Sequence, residues 1–385
     1  MNIKSFLTLI SLAGLALVAA CTSDYNQHPA NRLPPNPHTV KVQQAWSHDI
    51  GGGGGKQLLG LAPGAVEGEV VAAAAGGHVA AFDAESGKLR WSRHVKARLS
   101  AGPAVGGGLV VVGTRAGDVI ALDAATGAQK WKHYVGAPVI ASPAIGSSAV
   151  AVKTMAGALI GLSPATGDSV WESDEAPPSL SLRFDTQPLI VDGVVYAGFA
   201  DGKAIAVDNA TGKEAWRKQV AQGQGGNPVA DLVDVGGIMA FAAGDLYVAT
   251  YQGRLAALAA SSGQIIWSRK LSSYTGVTLD GQHVYVSDAE GRVHAYDLVT
   301  GVPSWSYDRL AYRSLSAAVP FGPVVAVGDR FGWLHFLDRE NGHYLNRVKA
   351  GDWAIRMAPV VVGDRLIVLN NDGTLTAYEL PSGKP

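Results

Sequence analysis

Apolar and polar side chains alternate along short segments that recur through most of the chain. In residues 119–123, Val119, Ala121 and Asp123 share one face of a strand, because successive side chains of a strand point to opposite faces. Other segments, such as 109–112 and 366–369, are unbroken apolar runs bounded by glycine. Such runs are typical of central strands that are covered on both faces. The pattern predicts an all-β protein.

One motif returns eight times. It consists of a glycine, an alternating apolar segment that usually ends in Asp, a Thr-Gly or Ser-Gly pair, and a tryptophan four residues later, and residues 117–131 are its clearest copy. Repeats of about forty residues with strand and turn signals are typical of propeller blades, because a four-stranded sheet buries both faces only when neighbours stack on it. The opening glycines lie 38 to 51 residues apart, at Gly77, Gly117, Gly157, Gly202, Gly253, Gly291, Gly332 and Gly373.

The tryptophans indicate how the ring of repeats closes. Asn346 takes the place of the seventh, the chain ends before an eighth, and Trp46 precedes the first repeat. We therefore predict an eight-bladed β-propeller of four-stranded antiparallel blades over residues 42–385. The strand around Trp46 is expected to pair with the C-terminal blade and so hide two open sheet edges. The tryptophans of the first six repeats are Trp91, Trp131, Trp171, Trp216, Trp267 and Trp305.

Two interpretations of the tryptophan row are open: a surface on which a ligand stacks, or one indole in each blade that docks on the next blade. Even spacing over six repeats favours docking, because a ligand site would be local. We expect the aspartates of the motif to bond backbone amides in their turns. They are Asp83, Asp123, Asp208, Asp297 and Asp338.

Composition argues against several functions. The formal net charge of −1 gives no basic surface for nucleic acid, and one cysteine cannot form an intrachain disulfide or a CxxC motif. The glycine run 51–55 before Lys56 lacks P-loop spacing and is predicted to be a loop. His294 and His335 occupy the same position in adjacent repeats, which favours a strand-face role over a metal pair. We predict no enzyme activity, cofactor or metal.

The N-terminus accounts for the lone cysteine. Residues 1–20 combine Lys4 with an apolar stretch and small residues, which is typical of a secretory signal. Residues 17–21 resemble a bacterial lipobox, which implies cleavage before Cys21 and its lipidation; the alternative is a buried free cysteine. With Thr22 next, the resemblance implies a lipid anchor on the periplasmic face of the outer membrane. Residues 21–41, rich in Asn and Pro, are predicted to be a lipidated flexible tether.

The repeat carries a family resemblance. The pattern Ala-x-Asp-x-x-Thr-Gly-x-x-x-Trp, as in residues 206–216, resembles the repeat of pyrroloquinoline quinone (PQQ) dehydrogenases and of relatives that have lost the cofactor. Together with the lipobox, the Pro-containing segment and eight repeats, it resembles the BamB family, the propeller lipoprotein of the outer-membrane β-barrel assembly machine. This implies a non-enzymatic scaffold that docks on the periplasmic domains of the central barrel subunit, BamA. Unfolded outer-membrane proteins are expected as possible clients, bound by strand addition.

A segment after the third tryptophan carries the first candidate contact. Ser179-Leu180-Ser181-Leu182-Arg183 resembles the family's Leu-x-Leu-Arg segment, which is implicated in docking on BamA. The resemblance implies a role for Leu180, Leu182 and Arg183. Apolar side chains exposed on a long loop favour a partner. The alternative is that both leucines pin the loop to its blade.

A second candidate lies in the longest interval between repeats. Family members often carry Asp-Val-Asp there; this chain has Asp234-Val235 and then Gly236, with Asp231 as a possible substitute. Asp231 and Asp234 near Arg183 would form a polar rim that guides docking. The alternative is a pair of solvated turn aspartates.

Two other functions remain open at this point. PQQ dehydrogenases share the repeat, but they are usually longer and often carry a vicinal cysteine pair, whereas Cys21 is the only cysteine here. A periplasmic propeller that binds a ligand or sugar at the mouth of its channel is the other alternative.

Overall fold

The structure is a computed structural model that describes residues 28–52, 59–174, 186–223, 225–226 and 232–381. These residues form 33 strands in eight sheets. Within them, no helix has the length and apolar character needed to cross a bilayer. The prediction of an all-β propeller is confirmed.

The first half of the ring contains four blades, preceded by two strands that join other sheets. Those two are β1 (Gln43–Asp49) and β2 (Gly60–Leu61). Blade 1 contains β3 (Gly64–Val66), β4 (Glu69–Ala73), β5 (His78–Asp83) and β6 (Leu89–His94). Blade 2 contains β7 (Leu99–Gly106), β8 (Leu109–Thr114), β9 (Asp118–Asp123) and β10 (Gln129–Tyr134). Blade 3 contains β11 (Ala144–Ile145), β12 (Val150–Lys153), β13 (Ala158–Leu162) and β14 (Ser169–Asp174). Blade 4 contains β15 (Leu189–Val191), β16 (Val194–Gly198), β17 (Lys203–Asp208) and β18 (Glu214–Gln219).

The second half repeats this order. Blade 5 contains β19 (Ala240–Ala242), β20 (Asp245–Ala249), β21 (Gly253–Ala259) and β22 (Ile265–Leu271). Blade 6 contains β23 (Val277–Leu279), β24 (His283–Ser287), β25 (Val293–Asp297) and β26 (Pro303–Tyr307). Blade 7 contains β27 (Val319–Phe321), β28 (Val324–Gly328), β29 (Trp333–Asp338) and β30 (Tyr344–Lys349). Blade 8 contains β31 (Val360–Val362), β32 (Arg365–Leu369) and β33 (Thr374–Glu379).

Strand β1 completes blade 8. It pairs antiparallel with β33, with Trp46 opposite Ala377 and Asp49 opposite Thr374. The predicted closure is therefore confirmed. Strand β2 adds a short parallel pairing to the inner strand of blade 2. First strands of neighbouring blades contact one another, so these strands surround the centre of the ring.

The core consists of eight apolar clusters, and each lies between two neighbouring blades. At seven of the eight interfaces a tryptophan of one blade bonds to the next blade, and we call this contact a tryptophan lock. Each indole Nε1 donates a hydrogen bond, 2.6 to 3.2 Å long, to a backbone carbonyl in the turn of the next blade, which confirms the docking interpretation. The pairs are Trp46–Ala84, Trp91–Ala124, Trp131–Pro164, Trp171–Asn209, Trp216–Ala260, Trp267–Leu298 and Trp305–Arg339.

In the motif turns that the structure describes, the glycine makes room for the indole. Gly212 has φ +69°, and a Cβ there would lie 2.7 Å from Cγ of Trp171. Any larger residue would therefore be strained in its backbone and would clash with the ring. The motif aspartates act as expected: Oδ1 of Asp123 accepts hydrogen bonds from the backbone N and the hydroxyl of Thr126. The equivalent turns contain Asp83, Asp208, Asp297 and Asp338.

At the interface after blade 7, Asn346 stands where the other interfaces have their bonding tryptophan, and the N-terminal segment packs there instead. We call residues 28–42 the strap. Asn346 Nδ2 donates to the Val40 carbonyl at 2.7 Å, and Arg347 Nη1 donates to the Pro34 carbonyl at 2.6 Å. Further strap contacts reach Leu345, Ala311 and Arg313.

The position of the strap shows that one prediction was wrong. The sequence predicted a flexible tether through residue 41, but residues 28–41 lie against blades 6 and 7. Composition shows that Asn and Pro cannot build a core, but it does not reveal that polar side chains of a distant strand bond the backbone of this segment. Cys21 and the rest of residues 21–27 lie outside the described residues, as do the signal sequence and residues 53–58 of the glycine-rich loop.

Candidate functional site

Two kinds of connection lie at the same end of the ring. Because successive strands are antiparallel, the turn between the second and third strands of a blade lies at the same end as the linker to the next blade. We call this end the linker face. Both candidate docking segments belong to linkers of this face, one between β14 and β15 and the other between β18 and β19. Leu180, Leu182, Arg183 and Asp231 themselves lie outside the described residues.

The described flanks of the two linkers meet. The Thr186 hydroxyl, just after the first segment, donates a hydrogen bond to the Val235 carbonyl, just after the second. Both residues are buried, and the Val235 N donates to the Phe199 carbonyl at 3.0 Å. The structure therefore brings together the bases of two segments that are far apart in sequence. Residue spacing gave no signal for this contact.

Asp234 is buried, with 2% of its surface exposed. Its carbonyl accepts a hydrogen bond from the Tyr251 N at 2.9 Å. The sequence placed this residue on a polar rim or in a solvated turn, and both placements are wrong for the described conformation. Its neighbours Leu232, Val233 and Val235 are all buried. Packing of these apolar side chains therefore places Asp234 in the interior as well.

A cavity of about 240 Å³ lies beside these flanks, at the centre of the linker face. Its wall includes residues from the linkers that precede seven of the eight inner strands. Gln187 and Ile238 belong to the two linkers that the bond between Thr186 and Val235 joins. The wall is mostly apolar. Among its described residues, Arg356 is the charged one and no carboxylate is present.

Tyr274 is the aromatic residue of this wall. Burial raises the pKa of its hydroxyl, while the nearby guanidinium groups of Arg356 and Arg330 act in the opposite direction without cancelling the rise. The phenol is therefore protonated near neutral pH and acts as a neutral hydrogen-bonding group. Across the described part of the chain, no three His, Cys, Asp or Glu side chains are grouped so that they could hold a metal ion.

The two repeat histidines bond within their own blades. His294 Nε2 lies 2.9 Å from Asp288 Oδ2, and His335 Nε2 lies 3.1 Å from Asp329 Oδ2. Arg313 Nε donates to the same Asp329 oxygen at 2.7 Å. These side chains stabilise the turns at the linker face.

The pKa values of Asp329 and His335 are both shifted downward. Burial acts to raise the pKa of Asp329, but the bond from His335 and the Arg313 charge outweigh it, so this pKa lies below its usual range. Burial lowers the pKa of His335, which keeps the ring neutral. The neutral ring donates from Nε2 to Asp329, and its Nδ1 accepts the Tyr344 hydroxyl at 2.8 Å. The repeat pattern singles out the two histidines, but it gives no signal for Asp329 or Arg313.

Comparisons with known proteins agree on one family. The family model for the outer membrane protein assembly factor BamB matches residues 43–307. The BamB of Pseudomonas aeruginosa is 44% identical over 373 residues, which cover 97% of this chain and 98% of that protein. The crystal structure of BamB from Moraxella catarrhalis superposes with a TM-score of 0.80 at 30% identity and covers 88% of this chain and 100% of its own.

A dehydrogenase shares only the fold. The quinohemoprotein alcohol dehydrogenase of Comamonas testosteroni has a TM-score of 0.70 at 16% identity and covers 91% of this chain and 78% of its own. Likeness at this level of identity shows that the repeat architecture is common to both proteins and carries no information on activity. The P. aeruginosa BamB, in contrast, is 44% identical over nearly the full length of both chains, which shows a common family. This chain belongs to the BamB family of outer membrane protein assembly factors.

Proposed function

We propose that this chain is a non-enzymatic scaffold lipoprotein that assists the assembly and insertion of outer-membrane proteins. The observation that carries the proposal is the similarity to the P. aeruginosa assembly factor BamB over nearly the full length of both chains. Seven tryptophan locks make the ring a rigid frame. A rigid frame suits a scaffold because its contact segments lose little conformational freedom on binding.

The proposed partner is the barrel subunit of the BamA type, bound through its periplasmic domains. Leu180 and Leu182 would supply the apolar contact, and Arg183 a directed charge. The bond between Thr186 and Val235 supports a joint surface, because it holds the bases of both linkers together. Asp231 would add an acid at the rim.

Asp234 has a different proposed role. Because it is buried, it would shape the linker from inside and would not contact the partner. Extended outer-membrane protein clients would bind by adding a strand to an outer strand edge, which needs only backbone donors and acceptors.

Cys21 would anchor the chain to the periplasmic face of the outer membrane. The lipobox at residues 17–21 supports this assignment, and Thr22 supports outer-membrane sorting. Several acyl chains on one residue give stable membrane attachment.

The enzyme and small-ligand alternatives have less support. The described wall of the central cavity offers no carboxylate, whereas hard cations such as Ca²⁺ are bound mainly by oxygen ligands that include carboxylates. Its volume of about 240 Å³ is also below the usual range for ligand pockets, roughly 300 to 1,000 Å³.

Co-purification tests the docking assignment. A Leu180→Glu, Arg183→Glu variant should lose the barrel subunit from a detergent-solubilised pull-down, because an acid replaces the apolar anchor and the cation is reversed. A matched control applies the same exchange to the exposed pair Leu89 and Lys88 on blade 1. The control should retain the partner. Equal recovery with both variants, both folded by circular dichroism, would refute the assignment.

A further inference from the structure

An exposed aromatic and basic surface lies on blade 7 and the linker that follows it. Phe331 is 38% exposed and Trp353 is 43% exposed, although large apolar side chains elsewhere in the ring are mostly buried between blades. We call this surface the blade-7 patch. It consists of Arg330, Phe331, Trp333, Arg347, Lys349 and Trp353.

The patch is one continuous surface. The Arg330 guanidinium lies 4.8 Å from the centre of the Phe331 ring, and Lys349 Nζ lies 5.5 Å from the centre of the Trp333 ring. Lys349 also donates to the Phe331 carbonyl at 2.6 Å. A Cβ at Gly332 would lie 2.8 Å from the Trp353 carbonyl, so the turn and the linker approach closely.

Its charge is predominantly positive. Lys349 is exposed and Arg330 is half-buried, and the exposed Arg356 lies in the linker that contains Trp353. The exposed Asp352 contributes one carboxylate, 3.5 Å from Lys349 Nζ. A local excess of cations stands out in a chain whose formal net charge is −1. Basic groups beside Trp and Phe suit a bilayer surface, where headgroups carry negative charge and indole rings favour the interface.

The strap begins beside this patch. His28, the first described residue, stacks on Tyr312 with ring centres 4.7 Å apart. The next residue, Arg313, lies over the Phe331 ring at 4.6 Å and accepts a backbone hydrogen bond from Arg330. The end of the strap that leads to Cys21 therefore emerges at the patch, on the linker face.

Chain length limits how far the patch can be from the anchor. Residue 28 is seven residues from Cys21, and whatever path they take, seven residues span at most about 25 Å. If Cys21 is acylated, as proposed above, the patch is confined to a thin layer next to the bilayer. Blade 7 is four blades away from the linker that contains Leu180, so membrane contact here leaves that linker free on the other side of the ring.

We propose that the blade-7 patch is a second membrane contact that binds the anionic phospholipid headgroups of the bilayer holding the Cys21 anchor. The cations would contact phosphate oxygens while Trp353 and Phe331 enter the interfacial layer. The two contacts together would fix the orientation of the ring, with the blade-7 side of the linker face toward the membrane.

The tryptophans provide a specific readout. Of the nine in the chain, seven lie in the interface locks and are 6 to 9% exposed, and the other two are Trp333 and Trp353 of the patch. Full-length lipidated protein would be reconstituted into phosphatidylethanolamine–phosphatidylglycerol vesicles that contain a headgroup-labelled quencher lipid. We expect the quencher lipid to reduce the fluorescence that comes from Trp333 and Trp353. A Trp333→Phe, Trp353→Phe variant should lose this quenching.

Charge reversal tests the mechanism. Each basic group near an anionic surface contributes a factor of about five to binding, so Arg330→Glu with Lys349→Glu should lower the ratio of docked to free protein by at least about 25-fold. The matched control, Lys88→Glu with Lys213→Glu, changes the net charge equally, but in turns at the opposite end of the ring, and should leave quenching unchanged. Equal quenching in phosphatidylcholine vesicles would contradict the role of headgroup charge.

Failure of the patch and failure of the anchor are distinguishable. Protein that floats with the vesicles but shows no quenching keeps its anchor and overturns the proposed contact. Protein that neither floats nor carries acyl chains by mass spectrometry refutes the anchor at Cys21, and vesicle binding of that soluble protein then tests the patch directly. If Arg330→Glu with Lys349→Glu abolishes pull-down of the barrel subunit and quenching is absent, the patch belongs to a protein interface and the proposal is wrong.

Discussion

Trp46 is the residue that closes the ring, and its removal should weaken the whole fold. Its indole packs on Phe82 and on the glycine turn of blade 1, and Nε1 donates to the Ala84 carbonyl at 3.0 Å. Trp46→Phe keeps most of the apolar contact but removes the donor. A buried carbonyl that loses its partner costs about 1–3 kcal/mol, so the free energy of unfolding should fall by about that amount.

Trp46→Ala should lower the stability further and should also cause aggregation. Truncating a buried aromatic side chain to alanine costs about 3–5 kcal/mol. Since β1 joins blade 8 by pairing with β33, its release would also expose that strand edge and promote aggregation. Trp171→Phe is the matched control, because it removes an equivalent 2.9 Å bond between blades that are joined by a covalent linker.

Urea denaturation followed by far-ultraviolet circular dichroism measures both effects, and analytical ultracentrifugation measures the aggregation. We expect Trp46→Phe and Trp171→Phe to lose similar stability, and Trp46→Ala alone to associate. A monomeric Trp46→Ala protein within about 1 kcal/mol of the wild type would refute closure by β1, since it is well below the cost of such a truncation.

Three further outcomes follow from the structure. Gly212→Ala should destabilise by about 1–3 kcal/mol in urea denaturation, because it forces a Cβ into a positive φ and against Trp171, and an unchanged midpoint would contradict the lock geometry. Asn346→Ala should release the strap from its bond to Val40, which deuterium exchange would detect as faster exchange in residues 28–42 without loss of the blades, whereas unchanged protection would contradict this role. Because the pKa of Asp329 is depressed in the fold, its contribution to stability should be present above about pH 4 and be lost as the pH falls further. Asp329→Asn should therefore show a shallower fall of unfolding free energy below that pH, and parallel curves would argue against the Asp329 contribution.

The propeller was predictable because its signals are local and repeated. Glycine, Thr-Gly and tryptophan recur at fixed distances, and the lone Trp46 indicated which strand closes the ring. The strap was not predictable, because its bonds join residues that are far apart in the chain: Val40 and Asn346 are 306 positions apart. Its composition matches that of a free tether, and only the missing tryptophan at position 346 hinted at a different interface.

The candidate site was predictable only in part. The long intervals between repeats indicated which linkers carry extra residues, but not that Thr186 and Val235 join them. Asp234 shows the limit of residue type as a guide: an acid in a polar turn is normally exposed, and here its apolar neighbours bury it. Likewise, the Arg313–Asp329 pair depends on a contact between the linker that enters blade 7 and a turn within it, which no motif encodes.

Site-specific photo-crosslinking in intact cells shows directly whether this propeller docks on the barrel subunit. A photoreactive amino acid in place of Leu182 would be compared with the same residue in place of the exposed Leu89 on blade 1. We expect a covalent adduct with the barrel subunit from position 182 and none from position 89. No adduct at position 182, with the protein lipidated and folded, would contradict the proposal that this propeller is a docking scaffold for that subunit.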